Sequence, residues 1–187
     1  FNEALRHVLR QDPDAVMLGE IRDRISMETV LKAANTGHAV FSTLHTTDTS
    51  QTITRIISFF PPHQHGEIRG LIADALRAVI SMRLIPRADG SGRVPAAEVL
   101  INSAAVSDRI RSGEAIHTLR DLIAEGRTQY GMQTFDQSLM ELYRKGLITQ
   151  EMALHYATSP AEFALRASGI EASSDMTFES SLGRGEV

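Results

Sequence analysis

Residues 10–48 read RQDPDAVMLGEIRDRISMETVLKAANTGHAVFSTLHTTD. It holds two short apolar runs, Ala15-Val16-Met17-Leu18 and Ala39-Val40-Phe41, each about the length of a strand and neither alternating apolar with polar residues. Runs of that kind predict strands covered on both faces, as in a parallel sheet. Between them, Ser26 to Asn35 is expected to form a helix with Met27, Val30, Leu31 and Ala34 on one face, and Gly37 stands just past its end. The order is strand, helix, strand. In open parallel sheets, ligands bind beyond the carboxyl ends of the strands. Two polar exits fall there: Gly19-Glu20-Ile21-Arg22-Asp23 and Ser42-Thr43-Leu44-His45-Thr46-Thr47.

Working outward, Asp48 is expected to cap a helix from Thr49 to Phe60 that carries Ile53, Ile56, Ile57 and Phe60 on one side and stops at Pro61-Pro62. His63 and His65 have a spacing that invites a metal, but two such residues on a helix point to different faces and no third ligand stands near. The next apolar series, Ile68, Leu71, Ile72, Ala75, Leu76, Val79 and Ile80, predicts one buried helix. Met82–Pro86 and Val94–Ile101 are expected to be strands around the turn at residues 88–92, whose glycines mark a hairpin. From Ser103 the pattern is helical, with ends at Gly113, Gly126 and Gly146. Thr134 with Gln137 predicts a capping box, Thr149 a further cap, and Ser159-Pro160-Ala161-Glu162 a helix start. After Ser168 the chain is poor in apolar residues, and disorder is expected.

Composition narrows the possible functions. A formal charge of −4 over 187 residues gives no polybasic surface, so a nucleic-acid partner has no electrostatic support. The absence of cysteine excludes a thiolate zinc site, a disulfide framework and a cysteine nucleophile within these residues. No apolar run approaches the roughly 20 residues that span a bilayer. The chain opens on Phe1, with Leu5, Val8 and Leu9 continuing the stripe of an expected helix over residues 2–10, and is read as the carboxyl-terminal part of a longer protein. By residue type alone, Glu20 is either a solvated turn carboxylate or an acid set at a sheet edge. His45 either donates a hydrogen bond to a phosphate oxygen or is structural, and His38 is more plausibly a packing or interface residue.

The motifs carry a resemblance. Residues 9–23, LRQDPDAVMLGEIRD, resemble the Walker B region of the secretion ATPases of type II and type IV systems, and residues 37–46, GHAVFSTLHT, resemble the His box of that family. Within the family the similarity is to the type IV pilus retraction ATPases that drive twitching motility, on Phe60-Pro61-Pro62, residues 131–139 (GMQTFDQSL) and Lys145-Gly146-Leu147-Ile148-Thr149. It covers residues 1 to about 170. Relatives of the extension type carry a four-cysteine zinc element that this chain lacks. Two departures stand out. The helix of the family that retraction requires aligns with residues 105–112, keeping Arg111 but placing Ser107 and Ser112 where the family has Arg and Glu. No Gly-x-x-x-x-Gly-Lys-Ser/Thr occurs, the only lysines being Lys32 and Lys145.

The resemblance implies an α/β fold: the carboxyl-terminal part of a RecA-like P-loop ATPase core over residues 1–101, a small all-helical lobe over 102–167 and a tail over 168–187. It implies a homohexameric motor that hydrolyses ATP with Mg²⁺ for type IV pilus retraction, in which Glu20 is the Walker B acid acting on Mg²⁺ through water. In the same reading His45 and Thr43 face the nucleotide, His38, Arg22 and Asp23 give structural or subunit support, and Arg109 and Arg111 lie on the retraction helix. It further implies a cytoplasmic protein at the inner membrane, held there only through partners such as the pilus platform protein. An isolated segment without its phosphate loop is expected to be inactive. Two rival readings are a non-catalytic assembly module and a related ATPase that moves another substrate.

Overall fold

The computed structural model describes residue 11 and residues 13–169; the helix expected over residues 2–10 and the tail beyond Gly169 lie outside the described residues. Strand β1 (Ala15–Leu18) and strand β2 (Ala39–Ser42) pair in parallel, with Ala15 opposite Ala39 and Leu18 opposite Ser42. Helix α1 (Arg24–Asn35) connects them. It begins two residues earlier than the apolar spacing predicts because Asp23 caps it, accepting from the Ser26 amide at 2.9 Å and the Ser26 hydroxyl at 3.0 Å. Helices α2 (Thr49–Ser58) and α3 (His65–Ala75) follow, separated by a 3₁₀ turn at Pro62–Gln64. Asp48 caps α2 as expected, accepting from the Gln51 amide at 2.8 Å.

Two expectations are corrected here. The helix predicted to run through Val79 and Ile80 stops at Ala75, and strand β3 (Ala78–Pro86) takes those residues. Leu76 turns to extended backbone (ψ 137°), and the β-branched Val79 and Ile80, stiff at χ1, suit a pleated strand better than a helix. The strands of the parallel pair were expected to be covered on both faces. Val16 and Leu18 are buried, whereas Met17 is 75% and Phe41 61% exposed. Register explains the pairing of the two exposed side chains, since Met17 lies opposite Phe41 and side chains opposite one another share a face.

Strand β4 (Arg93–Ile101) hydrogen-bonds with β3 across the predicted turn, in which Asp89 binds Arg87 and Ser91. The remaining elements are α4 (Ala104–Ser112), a 3₁₀ turn at Ile116–Thr118, α5 (Leu119–Glu125), α6 (Arg127–Tyr130), α7 (Phe135–Arg144), α8 (Gln150–Tyr156) and α9 (Pro160–Ala167). The packing forms two compact units that do not follow a single cut at residue 101. One takes the described residues up to Val79 together with Leu100–Leu122; the other takes Ile80–Val99 and the described residues from Ile123.

In the first unit α1 and α4 pack on α3, and Met27, Leu31, Ile53, Ile72, Val106 and Ile110 are buried. In the second, Ile85 and Ala96 of the hairpin share one apolar core with Phe135, Leu139, Ile148, Ala153 and Phe163. The elements after Ile101 are all helical, as expected, and the β3–β4 hairpin shares the apolar core of those in the second unit. Thr134 and Gln137 close the predicted capping box, each side chain bound to the other residue's backbone amide. Ser159 makes no side-chain cap on α9. The buried Asp136 instead accepts from the Thr158 amide at 2.7 Å and the Ser159 amide at 3.2 Å.

Candidate nucleotide site

The carboxyl ends of β1 and β2 stay joined beyond the ladder. The Ile21 amide donates to the Thr43 carbonyl at 3.3 Å, and the Thr43 hydroxyl donates to the Gly19 carbonyl. With the two exits tied side by side, Glu20 and His45 meet: the His45 Nε2–H donates to Glu20 Oε2 at 3.0 Å. Arg22 forms an ion pair with the other carboxylate oxygen. The carboxyl pKa of Glu20 is lowered, first by the Arg22 guanidinium and then by His45, so Glu20 is held ionised. The reciprocal effect raises Arg22. Glu20 is 30% exposed at its side chain and His45 89%, which leaves the imidazole open to solvent while the acid is half-enclosed.

Of the residues singled out from the sequence, Glu20, Arg22, Thr43 and His45 come together at this edge. Asp23 is the cap of α1, and hydrogen bonding from the Ser26 amide is the main cause that lowers its carboxyl pKa. His38 stands at the other end of β2, its Nδ1 3.2 Å from both the Ala33 carbonyl and the Thr36 hydroxyl. Four strand residues lie between it and Thr43, a distance of roughly 16 Å. On α4, Arg109 donates to the Thr118 hydroxyl and Arg111 to Asp74 at 2.7 Å.

An open groove of about 910 Å³ begins at the Glu20 edge and is also lined by α2 residues, among them Ser50, Gln51, Thr54, Arg55 and Ser58, and by Ile116 and His117. Sequence reading missed these. The α2 residues recur at helical spacing, and a search for a second, polar period on that helix would have found them. Ile116 and His117 reach the groove through a fold contact some sixty residues away in sequence, for which no local signal exists.

The donor chemistry fits Mg²⁺, a hard cation that keeps several of its waters. Glu20 supplies ionised carboxylate oxygen at a solvent-open edge, and among the described residues no group of three or more His, Asp or Glu converges into an all-protein metal cage. Glu20 would therefore meet the ion through its water shell.

The parallel pair, the helix that joins its strands and the helices that follow make this an α/β protein. The profile described as type II/IV secretion system protein matches residues 1–179, and the chain belongs to that family. It is 41% identical over 185 residues to the type IV pilus ATPase PilU of Pseudomonas aeruginosa, covering 99% of this chain and 48% of the relative. It is 40% identical over 163 residues to the pilus retraction ATPase PilT of the same organism, covering 87% and 46%. Among solved structures, the pilus retraction motor PilT with bound ADP superimposes with a TM-score of 0.76 at 41% identity, over 86% of this chain and 44% of that one. DotB of Yersinia pseudotuberculosis gives 0.74 at 28% identity, over 82% and 39%. The chain thus spans about half the length of these relatives.

Proposed function

We propose that this chain is the carboxyl-terminal part of a homohexameric ATPase motor that powers type IV pilus retraction and twitching motility. The hydrogen bond between Glu20 and His45 at the carboxyl edge of the parallel pair supports the catalytic part of this reading, and the similarity to PilU and PilT supports the biological part. ATP with Mg²⁺ supplies the phosphoryl group and the divalent charge that such transfer requires. Glu20, kept ionised by Arg22 and His45, orients water at the metal or for attack. Thr43 fixes the two strand exits in register, and His45 presents its imidazole to the γ-phosphate side and links that contact to Glu20. In this reading residues 9–23 are the Walker B region and residues 37–46 the His box. His38 holds the start of β2, and Arg109 and Arg111 anchor the retraction helix α4.

The phosphate loop lies outside these 187 residues, so residues 1–187 alone are inactive in this proposal. The full protein works at the cytoplasmic face of the inner membrane against the pilus platform protein. Its membrane association runs through that partner, consistent with the absence, among the described residues, of a helix long and apolar enough to cross a bilayer. Glu20→Gln in the full-length protein tests the catalytic assignment. ATP hydrolysis falls by about a hundredfold or more while ADP affinity is kept; an unchanged hydrolysis rate removes Glu20 from the mechanism.

A further inference from the structure

The groove has a wall built from the segment between α4 and α5. Residues Gly113–Thr118 leave α4 through Gly113 (φ 70°) and enter the 3₁₀ turn through Ala115 (φ 49°, ψ 43°). Ala115 is the one non-glycine residue with positive φ among the described residues. A β-carbon crowds its own backbone in that region, so the surroundings, and not local preference, must hold the turn.

Those surroundings are visible. The amide and the hydroxyl of Thr118 both donate to the Ala115 carbonyl at 2.8 Å. Arg109 donates to the same hydroxyl, and the Ser50 hydroxyl at the start of α2 donates to the Ile116 carbonyl at 3.3 Å. At the other end, Gly113 takes a left-handed backbone (φ 70°) that favours glycine, and the Arg69 side chain packs where a β-carbon would stand. The result is a pinned strap that sets Ile116 and His117 on the groove wall. The His117 side chain is exposed and has no hydrogen-bond or ion-pair partner among the described residues. Glu20 is the one acid lining the groove and is already engaged by Arg22 and His45; Arg55, whose guanidinium lies 4.9 Å from the Phe59 ring centroid, adds a positive charge and His117 an N–H donor, which makes the groove suited to an anion.

We propose that His117 binds the nucleotide, its imidazole N–H donating to a nucleotide oxygen, and that the strap Gly113–Thr118 holds it in place. This rests on the nucleotide reading above and adds a contact from a wall distinct from the two strand exits. His117 comes from a different element than the pair that orients water, and in this proposal its binding contact is the same before and during reaction. It therefore tightens binding without speeding the chemical step.

The test uses the full-length protein and two readouts: calorimetric ADP affinity for wild type, His117→Ala, His117→Gln and Ser50→Ala, and hydrogen exchange over residues 113–118 with and without ADP. His117→Ala is expected to weaken ADP binding about five- to tenfold, as loss of one hydrogen bond to a charged oxygen does, and to raise KM for ATP with kcat held within about twofold. His117→Gln, which keeps an N–H donor, restores most of the affinity. Ser50→Ala weakens it by less, and ADP slows exchange across the strap. Equal ADP affinity for wild type and His117→Ala, or exchange at 113–118 indifferent to ADP, overturns the inference. Failure of the wild-type protein to bind ADP at all overturns the nucleotide reading itself, so the two failures are told apart.

Discussion

The strand exits of the parallel pair and the helical core of the second unit use polar residues in opposite ways. At the exits, Glu20, Arg22 and His45 satisfy one another in an open groove. In the core, Thr134, Asp136 and Gln137 are all buried and spend their oxygens on backbone amides. Buried polar groups must be paired, so those three are committed to the fold. The exit groups are held mainly by the register of two short strands and can exchange partners when a ligand arrives. Substitutions in the core should therefore lower stability and leave the chemistry of the folded protein intact, whereas substitutions at the exits should do the reverse.

Phe135→Ala gives the largest test of the core side. Phe135 is 1% exposed in the shared cluster, and urea unfolding of the second unit is expected to lose about 3–5 kcal/mol with hydrolysis per folded molecule unchanged. Asp136→Ala comes next. It strips the acceptor from the Thr158 and Ser159 amides, for an expected loss of about 1–3 kcal/mol in the same assay. Thr134→Ala breaks the capping box of α7 and should cost about 1 kcal/mol. A Thr134→Ala protein as unstable as Asp136→Ala would mean that the cap also carries packing.

The smallest effect is at the exits and sharpens the contrast. The lowered pKa of Glu20 means that folding favours its ionised form; that preference is complete above the ordinary carboxyl range and is lost as pH falls through the folded value. Arg22→Ala removes the largest cause, so the Glu20 titration, followed by carboxyl carbon resonance, moves to higher pH with little change in unfolding. A midpoint that stays where it was would show that Arg22 does not hold the acid.

Legibility in the sequence divides along the same line. Ala15–Leu18 and Ala39–Phe41 were readable as strands because apolar runs bounded by Pro13, Gly19 and Gly37 leave few alternatives, and Asp48, Thr134 and Thr149 announced their helices by cap chemistry. The Glu20 and His45 exits were readable for the same reason, since parallel strands must end on one edge. The start of β3 was not: Val79 and Ile80 satisfy helical spacing and strand preference together, and only the packed chain chooses. Asp136 capping a turn 22 residues away in sequence, and His117 reaching a groove beside β1, depend on tertiary contacts that leave no local pattern. The exposure of Met17 and Phe41 was likewise hidden, because an apolar run states what a strand prefers to touch and not what covers it.

A double-mutant cycle between Glu20 and His45 in the full-length protein measures whether the acid and the imidazole are coupled. If the two side chains act as one unit across the strand exits, Glu20→Gln with His45→Ala hydrolyses ATP no more slowly than Glu20→Gln alone, the non-additivity expected of groups in contact. Full multiplication of the two single losses would contradict the account, because it would mean that the acid and the imidazole work independently.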